Sequence, residues 1–159
     1  MNRADWVQAF VQVVDEQVAT ARALAARLED EARVLLERDL DGLEGVTSAK
    51  QACIDALERA ESERRSLVAA VAGNLSHDGL EQLLRRSDPS GRALAGWNEL
   101  GQLIEACRLR NAHNGRLVSL RRAQVQRSIR LLGGPAAGAT YERGGNTSPA
   151  LPQRDLARA

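Results

Sequence analysis

The sequence predicts an all-α protein: an elongated, antiparallel, left-handed helical bundle of three long helices and one short helix, ending in a disordered tail. Three observations carry this. Apolar residues recur at heptad spacing through the first 38 residues. Strong helix formers dominate the 159 residues, and aromatics make up only 3%, too few to fill a sandwich, barrel or doubly wound sheet. Glycine and proline collect at the C-terminal end, where periodicity stops. The division that follows is a bundle domain over 1–132 and a flexible tail over 133–159.

The first helix rests on Val7, Val14, Ala21, Leu28 and Leu35, seven residues apart, with Val11, Val18, Ala25 and Ala32 four residues after the first four. Phe10 and Leu24 widen this stripe. Alternating steps of three and four keep one face turned towards a partner helix. Asn2 and Asp5 resemble a capping pair. Positions 1–41 hold no glycine or proline, so an uninterrupted helix of about 50 Å is expected at 1.5 Å per residue.

Asp39-Leu40-Asp41-Gly42 ends that seam, and Asp41 with Glu44 resembles a capping box that restarts a helix. The second stripe runs through Leu43, Val46, Cys53, Leu57, Ala60, Leu67 and Val71, with Ile54 and Val68 alongside. Lys50 and Arg64 interrupt it, which places this packing at an edge. Gly73-Asn74 stops the helix, because both tolerate the left-handed cap conformation. A short helix over 77–87 has Leu80, Leu83 and Leu84 as its apolar face.

Asp88-Pro89 predicts the start of the last helix, with Asp88 capping and proline at the first helical position. It runs to Leu132 and ends at Gly133-Gly134-Pro135. Its seam reads Trp97, Leu100, Ile104, Cys107, Asn111, Asn114, Val118, Arg121, Val125, Ser128 and Leu132. Residues 133–159 contain five glycines and three prolines without periodicity, the composition of a disordered tail anchored by Tyr141, Leu151 and Leu156.

Net charge is +1, but it is unevenly distributed. Residues 1–63 carry 7 basic and 14 acidic side chains, residues 64–105 carry 5 of each, and residues 106–159 carry 10 basic and 2 acidic. No acidic residue occurs between Glu105 and Glu142. Most simply, the basic last helix lies against the acidic first pair. An acidic partner is the sharper alternative. Nucleic acid is not expected, because stacking aromatics are missing there and the acidic front half repels phosphate.

No run of apolar residues suits a membrane span or a signal peptide, and the two isolated cysteines, Cys53 and Cys107, fit a reducing cytoplasmic location. Neither catalysis nor a cofactor is expected. Phosphate-binding glycine loops, GxSxG and HExxH are all missing. No metal site is expected either. His77 and His113 lack the glutamate three residues upstream that di-iron bundles use, and both read as solvated surface residues.

One segment is out of character. Asn111-Ala112-His113-Asn114-Gly115 puts two poor helix formers and a glycine inside a strong helix, weakening it by roughly 2 kcal/mol in propensity. A buried asparagine can lock helix register, as in coiled coils. Alternatively this part of the helix faces outward in places, leaving Val118, Val125, Ile129 and Leu132 for a partner. The two are compatible.

Three stretches together resemble the FlgN-like family of flagellar export chaperones. They are LLERDLDGLEGVTSAKQ (Leu35 to Gln51), GWNELGQLIEACRLRNAHNGRLVSL (Gly96 to Leu120) and the leucine–glycine stretch with a tyrosine from Leu131 to Ser148. Trp97, Asn111, Asn114 and Gly115 match the family's W…N..NG pattern. The resemblance implies a non-enzymatic cytoplasmic chaperone of the flagellar type III export apparatus. Such a protein binds hook-associated junction subunits through their terminal helical segments, prevents premature assembly and escorts them to the export gate. The client surface expected from this combination is Asn111, Asn114, Gly115, Val118, Val125, Ile129, Leu132 and Tyr141. Self-association through the exposed stripe is a further option. A coiled-coil scaffold or assembly adaptor without an export role is the alternative function.

Overall fold

The computed structural model describes residues 2–73 and 75–133. Those residues form four helices: α1 (Arg3–Glu37), α2 (Leu40–Ala72), α3 (His77–Ser87) and α4 (Arg92–Gly133). No strand occurs among them. Two compact units divide the chain, Met1–Arg122 and Ala123–Ala159, and the boundary falls inside α4. The expected tail at 133–159, with Tyr141, lies outside the described residues apart from Gly133, the last residue of α4.

Short polar side chains set the helix ends. Asn2 caps α1 by accepting the Asp5 N–H at 2.9 Å. Arg38 closes it in the left-handed region at φ 64°. The restart differs from expectation, because the cap of α2 is Asp39 and not Asp41. Asp39 Oδ1 accepts the Gly42 N–H at 3.0 Å. Gly42 is therefore no breaker: a Cβ there would stand 2.4 Å from Asp39 Oδ2, so glycine leaves the room this cap needs. Helix α3 spans the expected residues, capped by Ser76 on the Gly79 N–H at 3.2 Å.

Asp88 caps as expected, but α4 starts three residues later than Pro89. Gly91, at φ 76°, holds the chain in a left-handed turn first. The buried Asp88 carboxylate reaches across that turn. Oδ1 accepts from the Ser90 N–H and hydroxyl, and Oδ2 accepts the Ala93 N–H at 2.8 Å.

In the first unit the three long helices alternate in direction. Helix α2 runs back along α1: Glu31 meets Lys50 near one end, and Trp6 Nε1 donates to the Leu67 carbonyl at 2.8 Å near the other. Helix α4 runs parallel to α1. Its partners advance together along both chains, from Arg92 on Asp15 (2.7 Å) through Arg22 with Glu99 and Arg110 on Glu29 (2.9 Å) to Arg121 on the Leu36 carbonyl (3.0 Å). Arg92–Asp15 and Arg110–Glu29 set a basic residue of α4 against an acidic one of α1, whereas Arg22–Glu99 has the opposite sense and Arg121 meets a backbone carbonyl. These pairs are exposed, so they orient the helices more than they stabilise them.

Helix α1 is the centre of the fold. It buries Val14, Val18, Ala21, Ala25, Leu28 and Leu35 as expected, together with a second row of Phe10, Gln17, Leu24 and Glu31. Two adjacent rows are needed because α1 has a helix on either side. One core cluster joins Trp6, Phe10 and Val14 to Val68, Leu80, Leu84, Ala93 and Leu100, and a smaller one holds Leu24, Ala25, Leu28 and Cys107. Helix α2 packs at the edge, as its interrupted stripe suggested. Among its described side chains only Ala60 and Val68 are buried, and Val71 is exposed.

Candidate functional site

The NAHNG segment lies on α4, and α1 decides what it does. Every seventh residue of α4 turns inward: Ala93, Leu100, Cys107 and Asn114 are buried, and Arg121 is partly covered. Asn114 is 3% exposed. Its Nδ2 donates to the Leu28 carbonyl and to Glu31 Oε2, both at 2.8 Å. The other oxygen of Glu31 accepts from Lys50 Nζ at 2.5 Å. One polar cluster thus ties α4, α1 and α2 together. The only lysine in the sequence supplies the cation that neutralises a buried glutamate.

Asn111 departs from the expected seam. It is exposed and has no interhelical hydrogen bond among the described residues. The companion row on α4 is Leu103 and Leu117, both partly buried, and not Ile104, Asn111 and Val118, all exposed. A heptad seam alternates steps of three and four, and here α1 and α2 cover the row reached by three. Leu103 and Leu117 were the available signal, since they repeat with Leu100 and Asn114 as neighbours.

Gly115 is exposed, and a Cβ built on it meets nothing within 4 Å. Val118 is 48% exposed. In the second unit, every residue from Ala123 to Leu132 is exposed. Val125, Ile129, Leu131 and Leu132 are among them, and Leu132 reaches 89%. Leu131 joins this set although the seam did not point to it. Arg116, Arg122, Arg127 and Arg130 accompany these side chains, with no acidic partner among the described residues.

Cys107 is buried, donates to the Ala21 carbonyl at 3.5 Å, and has its thiol pKa pushed up by burial, the reverse of an activated thiolate. Among the described residues, no three His, Cys, Asp or Glu side chains converge in a way that could hold a metal ion. No helix among them is long and apolar enough to cross a membrane.

The sequence model described as "FlgN protein" matches residues 1–149, nearly the whole chain. The chain belongs to the FlgN family. That family comprises flagellar export chaperones, so the general role of this FlgN-family protein is chaperoning in flagellar export. Neither a curated protein nor a solved structure matches it. The match takes in both the polar cluster of Asn114, Glu31 and Lys50 and the exposed end of α4.

Proposed function

We propose that this FlgN-family protein binds the terminal helical segments of hook-associated junction subunits in the cytoplasm. It keeps them from assembling early and escorts them to the export gate. The contact surface is the exposed face of α4, namely Val118, Val125, Ile129 and Leu132. Gly115 and Asn111 lie on the outward side upstream, and Tyr141 docks client or gate. Asn114 contributes by holding the register of α4 and not by touching the client, because its side chain is turned into the bundle.

The carrying observation is that α4 keeps four large apolar side chains, Val125, Ile129, Leu131 and Leu132, in solvent within a stretch of eight residues. Exposed apolar groups in such density are a recognition feature. An amphipathic client helix could cover them in a helix-to-helix packing mode, and the binding requires no chemistry.

The test is Val125→Asp with Ile129→Asp. Binding of a junction subunit's terminal segment, measured by titration calorimetry, is expected to be lost, because two carboxylates would be desolvated without partners. Far-ultraviolet circular dichroism is expected to stay unchanged, since both side chains are exposed. A folded double variant that still binds would overturn the contact. Binding that falls steeply with salt would point instead to a nucleic-acid ligand.

A further inference from the structure

The exposed end of α4 is apolar along one row and basic beside it. With 3.6 residues per turn, Val125, Ile129 and Leu132 fall within an arc of about 60°. Arg122 borders that arc on the Ile129 side, and Gln126 and Arg130 follow on the same side at steps of four residues. Ser128 forms the opposite border, and Arg127 is on the far side of the helix.

From Arg116 to Leu132 the helix carries five arginines and no acidic residue. Arg122, Arg127 and Arg130 are exposed and form no ion pair among the described residues. Arg130 Nε donates within its own helix, to the Gln126 carbonyl at 3.4 Å. Arg121 is different, being partly covered and engaged with the Leu36 carbonyl.

The row and its border together constrain any occupant. A helix that covers Val125 and Ile129 also takes water from the guanidinium of Arg122 beside them. A cation desolvated without an acceptor is costly, and a carboxylate restores both the charge balance and the hydrogen bonds. A neutral or basic helix leaves Arg122 uncompensated. Pairing through the same face of a second copy would set arginine against arginine.

We propose that the client helix is acidic, with an apolar row bordered on one side by aspartate or glutamate residues about two turns apart, opposite Arg122 and Arg130. Those arginines are eight residues apart, about 12 Å along the axis at 1.5 Å per residue. Such a client presupposes the α4 contact proposed above, which concerns the apolar row alone.

The experiment titrates synthetic terminal segments of hook-associated junction subunits into the full-length protein and into Arg122→Gln with Arg130→Gln, by calorimetry. Both side chains are exposed, so the variant is expected to keep its fold. It is expected to bind roughly tenfold more weakly than the parent. Replacing the segment's Asp and Glu by Asn and Gln is expected to cost the parent a similar factor. The same replacement is expected to cost the arginine variant little more, because both changes remove the same pairs. The acidic client is overturned if the arginine variant binds as well as the parent, if the two losses multiply, or if the bound segment has no acidic residue beside its apolar row. In those cases loss of binding in Val125→Asp with Ile129→Asp leaves the apolar contact standing. Binding retained by that aspartate variant, or no binding of any segment to the parent, removes the contact itself and the acidic client with it. Phosphatidylglycerol vesicles are the last arm: if they bind the parent more tightly than any segment does, the arginines serve a lipid surface and the proposal fails.

Discussion

The Asn114 carboxamide donates to Glu31 Oε2 at 2.8 Å, joining two parallel helices through residues that lie 83 positions apart in sequence. The same nitrogen reaches the Leu28 carbonyl one turn earlier. Sliding α4 by one turn against α1 would break both bonds and leave Glu31 short of a donor. Lys50 holds the remaining oxygen, so the register of α2 depends on the same carboxylate. This is how a polar group in a seam specifies one packing over its neighbours.

The two asparagines of the NAHNG segment are therefore expected to behave differently. Asn114→Ala leaves Glu31 with one donor fewer and a small void, and is expected to destabilise the fold by about 2 kcal/mol. Asn111→Ala removes an exposed side chain and improves helix propensity, so its effect is expected to stay within about 0.5 kcal/mol of zero or be favourable. Urea denaturation of the two single variants checks this. Equal losses would mean that Asn111 is also engaged.

Lys50→Met deprives a largely buried glutamate of its cation and is expected to cost about 3 kcal/mol or more. Adding Glu31→Met to that variant removes the stranded charge, and much of the loss is expected to return. A double-mutant cycle from chemical denaturation measures the coupling. Additive losses would show that the pair contributes nothing as a pair.

Two helical glycines of α4 make a matched comparison. Gly115 has open space beside it, so Gly115→Ala is expected to stabilise the protein by about 1 kcal/mol. At Gly96 a Cβ would stand 3.2 Å from Val14 Cγ1, inside the core, where a β-branched side chain has little freedom to yield. Gly96→Ala is expected to gain nothing and to lower the melting temperature. A gain equal to that of Gly115→Ala would mean that α1 and α4 can part at no cost.

Asp88 makes stability depend on acid. Its hydrogen bond from the Ala93 N–H, then that from the Ser90 hydroxyl, hold its carboxyl below the usual carboxylate range. A depressed value in the folded state means that the contribution is complete above the unfolded value, about 3.9, and is lost as pH falls through the folded one. Asp88→Asn has a single acceptor oxygen for donors that now use two. It is expected to cost about 1–2 kcal/mol at neutral pH. The gap from the parent protein is expected to narrow only below about pH 4. Thermal melts of both proteins between pH 3 and 7 test this, and a constant gap would argue against a role for the charge.

Much of the architecture was legible in the residue pattern because it depends on local chemistry. Heptad spacing, caps and left-handed stops decide where helices start and end, and they act within a few residues. The α3 span, the Asn2 and Asp88 caps and the stop at Gly73 needed nothing else. The inward row of α4 through Leu100, Cys107 and Asn114 was equally plain. Its companion row was not. Leu103 and Ile104 are both apolar and lie one residue apart, so only the side on which α1 and α2 lie could choose between them. That choice turned Asn111 outward with Ile104 and Val118, and Asn114 inward with Leu100. Lys50 and Arg64 are alike in this respect. Along α2 each is a charge interrupting an apolar stripe, and nothing within reach in sequence shows where it goes. Glu31 lies 19 residues from Lys50 and Trp97 lies 33 from Arg64, so only packing between helices brought each cation to its partner. Burying a charge is costly without a partner, and the partner comes from another helix; that is why tertiary structure alone decided it.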